Sequence, residues 1–150
     1  MKQINIWDYL NLDSFGVQIS FSKSRTEFIG SFLENNIPID IINEMQIVVK
    51  SKLLSIDVDF FISFQFRGEK LIAITMSPNT TLEGKSLDCR YNKIQKALEN
   101  ELGHPHNLLR SIMNLLDPDN RLSYWKRDGI KIQHYLLNRF GIEEIINIKL

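Results

Sequence analysis

The run from Ser123 to Leu150, SYWKRDGIKIQHYLLNRFGIEEIINIKL, constrains the fold most. Apolar and polar residues alternate through it, and Asp128-Gly129 and Phe140-Gly141 divide it into three pieces. Period-two alternation puts successive side chains on opposite faces of a strand, and an Asp-Gly pair between two such pieces is a hairpin signal. The spacing predicts three successive antiparallel strands. Leu122 to Arg127 is the first. Ile130, Ile132, His134 and Leu136 share one face of the second, and Ile146 and Ile148 share one face of the third. On the first strand, alternation lets only one of Tyr124 and Trp125 point into a core.

Upstream, Val58, Phe60, Ile62, Phe64 and Phe66 form one apolar face. Arg67-Gly68-Glu69-Lys70 turns the chain, and Ile72, Ile74 and Met76 form the matching face of a return strand that Pro78 ends. Phe15, Val17, Ile19 and Phe21 predict a further strand with one buried face. Ser24 followed by Glu27 is a capping box, which opens a short helix carrying Phe28, Phe32 and Leu33. Asn35-Asn36 and Pro38 close that helix. Leu87, Tyr91, Ile94, Leu98 and Leu102 make one helical stripe over 87–102, with Ser86 as its cap and Gly103 and Pro105 as its end. Leu108, Leu109, Ile112, Met113 and Leu116 suit another helix, and Asp117 to Asn120 a turn. Residues 39–54 fit a helix and a buried strand equally well, because short apolar runs do not separate the two periods.

Strands interspersed with blocks of helix, and joined to one another by short connections, predict an α+β fold. The expected architecture is a mostly antiparallel sheet of about five to six strands covered by two to three helices. The chain has 150 residues with 43% hydrophobic and 24% charged, which suits a single domain, 1–150, with its own core. No repeat or Pro/Gly-rich linker divides it.

Eighteen basic residues balance eighteen acidic ones, so nucleic acid is not the expected partner: a phosphate binder usually carries a basic excess. The single cysteine, Cys89, reads as a partly buried small hydrophobe. The first residues lack the apolar centre of a signal peptide, and no run is long and apolar enough to span a bilayer. The expectation is a soluble, cytoplasmic protein without membrane contact.

His104, His106 and His134 match no ligand spacing for zinc, and no Cys pair or HExxH accompanies them, so no metal is expected. His134 lies in phase with Ile130 and Ile132, which predicts a half-buried imidazole bonded to a neighbour, or a polar group lining a pocket. Asp57 and Asp59 share a strand side that reads as a solvated outer face. No GxGxxG, GxxxxGK[ST] or GxSxG occurs, so no catalytic residue and no cofactor is assigned. Tyr124-Trp125 stands among Arg121, Lys126, Arg127 and Asp128. That mix of aromatic and charged side chains is the composition of binding hot spots. Tyr124, Trp125, Arg127 and His134 are therefore the candidate binding residues.

A helix ending in Leu102-Gly103-x-Pro105, then Trp125, Gly129 to His134, and Arg139-Phe140-Gly141 before a closing strand resembles small bacterial α+β proteins of the toxin-immunity type. The resemblance covers the chain from Leu87 to Leu150. It implies a cytoplasmic, non-enzymatic inhibitor whose partner is another protein, a cognate toxin. Its motifs are structural, so no functional residue is carried over. The alternative expectation is a small-molecule-binding or enzymatic domain with a pocket near His134. Neither the partner's identity nor the oligomeric state follows from these residues.

Overall fold

Alternating large apolar residues pair β5 (Asp59–Arg67) antiparallel with β6 (Lys70–Pro78). The computed structural model describes residues 5–106, 121–138 and 142–150. Phe60, Ile62, Phe64 and Phe66 are all buried on one side of β5. A bulge intervenes: Phe66 faces Leu71 while Gln65 faces Ala73, which leaves Ile72 as the extra residue. Leu71 consequently takes the inward place that simple alternation gave to Ile72, and Ile72 is only half-buried.

The ambiguous segment is a hairpin, β3 (Ile39–Asn43) with β4 (Gln46–Lys52). Ile47, Val49 and Ser51 point inward, while Ile41 and Ile42 of the edge strand are exposed. At the other end lie β7 (Arg121–Arg127), β8 (Ile130–Asn138) and β9 (Ile142–Lys149). Asp128 (φ 48°) and Gly129 (φ 86°) both take positive φ between β7 and β8, as a two-residue type I′ turn requires.

These strands form one seven-stranded antiparallel sheet in the order β3-β4-β5-β6-β9-β8-β7. It is wider than the expected five to six strands, because the 39–54 region contributes two of its own. The strand predicted around Val17 does not join it. β1 (Tyr9–Leu12) and β2 (Val17–Ser20) pair separately, burying Leu10, Leu12 and Ile19 in the same core.

Two helices are present among the described residues. In α1 (Arg25–Glu34) the capping box closes as read: the Glu27 N–H donates to Ser24 Oγ (3.2 Å), and the Ser24 N–H to Glu27 Oε2 (2.7 Å). The β5–β6 turn also reaches this end, where Glu69 accepts from the N–H and hydroxyl of Thr26, each at 2.9 Å. Phe28 then packs on Phe64 and Phe66, with ring centroids 5.2 and 5.3 Å apart. The second helix, α2 (Gly84–Leu102), starts a turn earlier than its apolar stripe. Its N-cap is Glu83, without a side-chain cap bond, so Ser86 lies inside the helix and does not cap it. Gly103 ends it at φ +79°, its N–H bonded to Glu99 O at 2.8 Å. The helix expected over Leu108–Leu116, the turn at 117–120 and Phe140-Gly141 lie outside the described residues.

Cross-strand register shows how the two faces of the sheet differ. Ile47, Phe64, Ile74, Ile148, Ile132 and Trp125 stand side by side across six strands, and all are buried. Both helices cover this face, α1 through Phe28 and α2 through Tyr91. The neighbouring row, Val48, Ser63, Thr75, Asn147, Gln133 and Tyr124, points the other way, and neither helix lies on it.

Candidate functional site

The ionisable residues with the most developed surroundings meet between α2 and β7–β9, on the helix-covered face. β8 places His134 between Ile146 of β9 and Ser123 of β7. The imidazole is fully buried, deeper than the half-buried position expected for it. Tyr91 stacks on it, with ring centroids 4.1 Å apart and planes 15° from parallel. Arg121 lies over the Tyr91 ring at 5.2 Å and pairs with Asp88 at 2.6 Å near the surface.

Hydrogen bonds fix the protons of this cluster. The Gln95 amide nitrogen donates to Glu99 Oε1 (2.7 Å), which leaves its carbonyl oxygen toward His134 Nδ1 (2.7 Å). His134 therefore carries its proton on Nδ1 and donates it to Gln95. Nε2 faces Glu144 Oε1 at a longer 3.3 Å. The other carboxylate oxygen of Glu144 accepts from Arg90 Nε at 2.9 Å. Arg90 Nη1 in turn donates to the Thr80 carbonyl and, at 3.3 Å, to the Thr80 hydroxyl. The Arg90 and Glu144 side chains are only 9% and 2% exposed. Their charges neutralise each other away from water, as buried ions require.

Burial pushes the His134 imidazole below its usual value of 6.5, and the hydrogen bond and charge of Glu144 push back. The folded protein thus holds His134 neutral where the unfolded chain, near 6.5, begins to bind a proton. Stability from this group is complete above 6.5 and is lost as pH falls from there toward the lower folded value. The parent protein should lose stability between pH 7 and 5, and His134→Gln should lose less over that interval. Urea unfolding at both pH values measures this, and equal losses in parent and variant would refute the assignment.

A cavity of about 340 Å³ adjoins the cluster, walled by Pro78, Thr80, Leu87, Arg90, Glu144 and Ile145. His134 does not line it. A larger groove of about 800 Å³ runs between the β1–β2 hairpin and the β5–β6 and β7–β8 turns, past Trp7, Phe21, Lys23, Glu69 and Leu150. Neither brings an unengaged base beside a nucleophile. Glu144 Oε2 is bonded to Arg90 and His134 Nδ1 to Gln95, while His134 Nε2 and Glu144 Oε1 face each other at 3.3 Å. Among the described residues no group of three or more His, Cys, Asp or Glu is placed to hold a metal ion, and no helix is long and apolar enough to cross a membrane.

The other residues singled out in the sequence are dispersed. Trp125 is the inward aromatic, 2% exposed, and its Nε1–H donates to Gly103 O at 2.8 Å. Tyr124 faces the side opposite α1 and α2, half-buried, beside the His106 ring (5.5 Å) and beneath Lys131 Nζ (5.4 Å). Arg127 is exposed and pairs with Asp128 at 3.4 Å. Asp57 is exposed and pairs with Lys52. Cys89 is exposed and not partly buried as expected, because it sits two residues from Leu87, off the apolar stripe of α2.

Gln95, Arg90 and Glu144 escaped the sequence reading. Two of them carried a signal. Gln95 follows Tyr91 by four on the buried stripe, and Glu144 precedes Ile146 by two on the inward face of β9. Comparison of the chain with protein-family models, with curated proteins and with solved structures finds no match.

Proposed function

We propose that this chain is a non-enzymatic protein-binding domain, an inhibitor of the toxin-immunity type, which meets its partner with the face of the sheet opposite α1 and α2. The observation that supports this reading is the contrast between the two faces. The residues able to do acid–base chemistry are enclosed, Glu144 bonded to Arg90 and His134 to Gln95. The opposite face carries amides, hydroxyls and a half-buried tyrosine, a mixture suited to contact. On this reading Tyr124 touches the partner, Trp125 holds the strand that presents it, Arg127 lies on the Trp125 side of β7 and outside the contact, and His134 acts only through the packing of β8.

A second reading, a small-molecule site, has one observation in its favour. The cavity beside Arg90 and Glu144, at about 340 Å³, is large enough for a small ligand. Its chemistry would be recognition through Arg90 and Glu144, with His134 behind them.

The test uses the host cell. A photo-crosslinking phenylalanine analogue replaces Tyr124 in one strain and Lys96, exposed on α2, in another. The expected result is a discrete protein adduct from position 124 that position 96 does not give. Tyr124→Ala should weaken capture of that protein by about 2 kcal/mol, near 30-fold. No adduct, or the same adducts from both positions, would defeat the reading.

A further inference from the structure

On the sheet face opposite α1 and α2, Lys126 of β7 stands directly opposite Lys131 of β8, and Lys131 directly opposite Lys149 of β9. Three lysine positions therefore lie in one line across three adjacent strands. Directly opposed like charges destabilise a sheet. No ion pair among the described residues offsets them: the pairs there involve Lys52, Arg90, Arg121, Arg127 and His134, and none of these three lysines. Lys126 and Lys149 are exposed, and Lys131 is half-buried with its ammonium over the Tyr124 ring. The adjoining row, Thr75, Asn147, Gln133 and Tyr124, is uncharged and bears donors and acceptors.

We propose that this lysine row receives an acidic helix of the partner protein, lying across β7, β8 and β9 with its carboxylates on one side. The proposal rests on the protein-binding reading above and names the chemistry of the partner. Spacing selects the helix. Neighbouring strands are about 4.8 Å apart, so the lysines recur at that interval. Side chains at i, i+4 and i+7 of a helix recur about every 5.3 Å along its axis, given a rise of about 1.5 Å per residue. Three carboxylates so placed match the three lysine positions one to one. Duplex phosphates, at about 3.4 Å per step on a strand, do not keep that register. The neutral net charge of the chain also favours a local acidic segment over a polyanion.

The probe is a synthetic helix-forming peptide with three glutamates at i, i+4 and i+7. Its control is an isomer of the same composition with the glutamates spread around the helix. Titration is followed by backbone amide shifts at low ionic strength. The first peptide should move the amides of Lys126, Lys131 and Lys149, and bind at least about tenfold more tightly than the isomer. Added salt should weaken it, because exposed charges are screened. Lys131→Glu should abolish binding. Lys131→Gln should weaken binding yet melt no lower than the parent, since it relieves the crowding of charge, and this variant separates recognition from folding. Equal binding of the two peptides, shifts confined to other strands, or tighter binding of a single-stranded oligonucleotide at the same lysines would overturn the proposal. The two readings fail separately. If the adduct from position 124 survives Lys131→Glu, the face opposite α1 and α2 remains the interface and the acidic helix is lost. If position 124 gives no adduct while the peptide still binds, the surface chemistry stands and the cellular role falls.

Discussion

Glu144→Ala should cost about 3–5 kcal/mol of folding stability, among the largest effects of any single polar substitution in this protein. Its carboxylate faces two groups that water does not reach well. Arg90, 9% exposed, loses the acceptor for its Nε, and a gap opens beside Nε2 of the fully buried His134. An unpaired buried guanidinium is the costly part, because desolvation of the ion is no longer offset by its counter-charge. The same logic makes the effect conditional on Arg90. A double variant, Arg90→Met with Glu144→Leu, removes both charges and fills the space with apolar atoms. It should be less destabilised than Glu144→Ala alone, although two ionic side chains are gone. Urea unfolding of the parent, both single variants and the double variant measures the coupling. A loss below about 1 kcal/mol for Glu144→Ala, or strictly additive losses, would show that the pair is solvated and the cluster loosely held.

The sequence carried most of the sheet but little of this cluster, and the reason is physical. Period-two alternation reports which face is buried, so β5, β8 and β9 could be read directly from Phe60 to Phe66, Ile130 to Leu136 and Ile146 to Ile148. It fails where a strand has apolar residues on both sides. β3 exposes both Ile41 and Ile42 at the sheet edge, and β4 has Val48 facing opposite to Ile47 and Val49, so neither period dominated 39–54. It also fails at a bulge, which shifts phase by one residue and put Leu71 where Ile72 was expected. The polar cluster was harder to see for a different reason. Arg, Gln and Glu are mostly surface residues, and a position on a buried stripe becomes tolerable for them only when partners from other elements arrive. Arg90 meets Glu144 across 54 residues of sequence, and Gln95 meets His134 across 39. No local pattern encodes such pairings.

Trp125→Ala and Tyr124→Ala, adjacent on β7, should have opposite consequences. Trp125 is 2% exposed and sits in the continuous apolar row beside Ile132. Truncating it removes a large buried ring and should cost about 3–5 kcal/mol. It also strips the Gly103 carbonyl of its indole donor (2.8 Å), which tethers the end of α2 to the sheet. Trp125→Phe separates the two contributions: it restores much of the apolar volume but not the hydrogen bond, and should recover most of the loss, leaving about 1–2 kcal/mol. Tyr124 lies one residue away on the other face, where its ring meets His106 and Lys131 and neither α1 nor α2 packs over it. Removing it should lower stability by about 1 kcal/mol or less, the scale of one exposed cation–π contact. Partner capture should reverse the order once folding is accounted for. Material that remains folded after Trp125→Phe should still bind, whereas Tyr124→Ala should fold and bind poorly. Unfolding curves and capture measured on the same preparations decide it. Equal destabilisation by Trp125→Ala and Tyr124→Ala would mean that β7 is packed on both faces, which would remove the free surface on which the binding role depends.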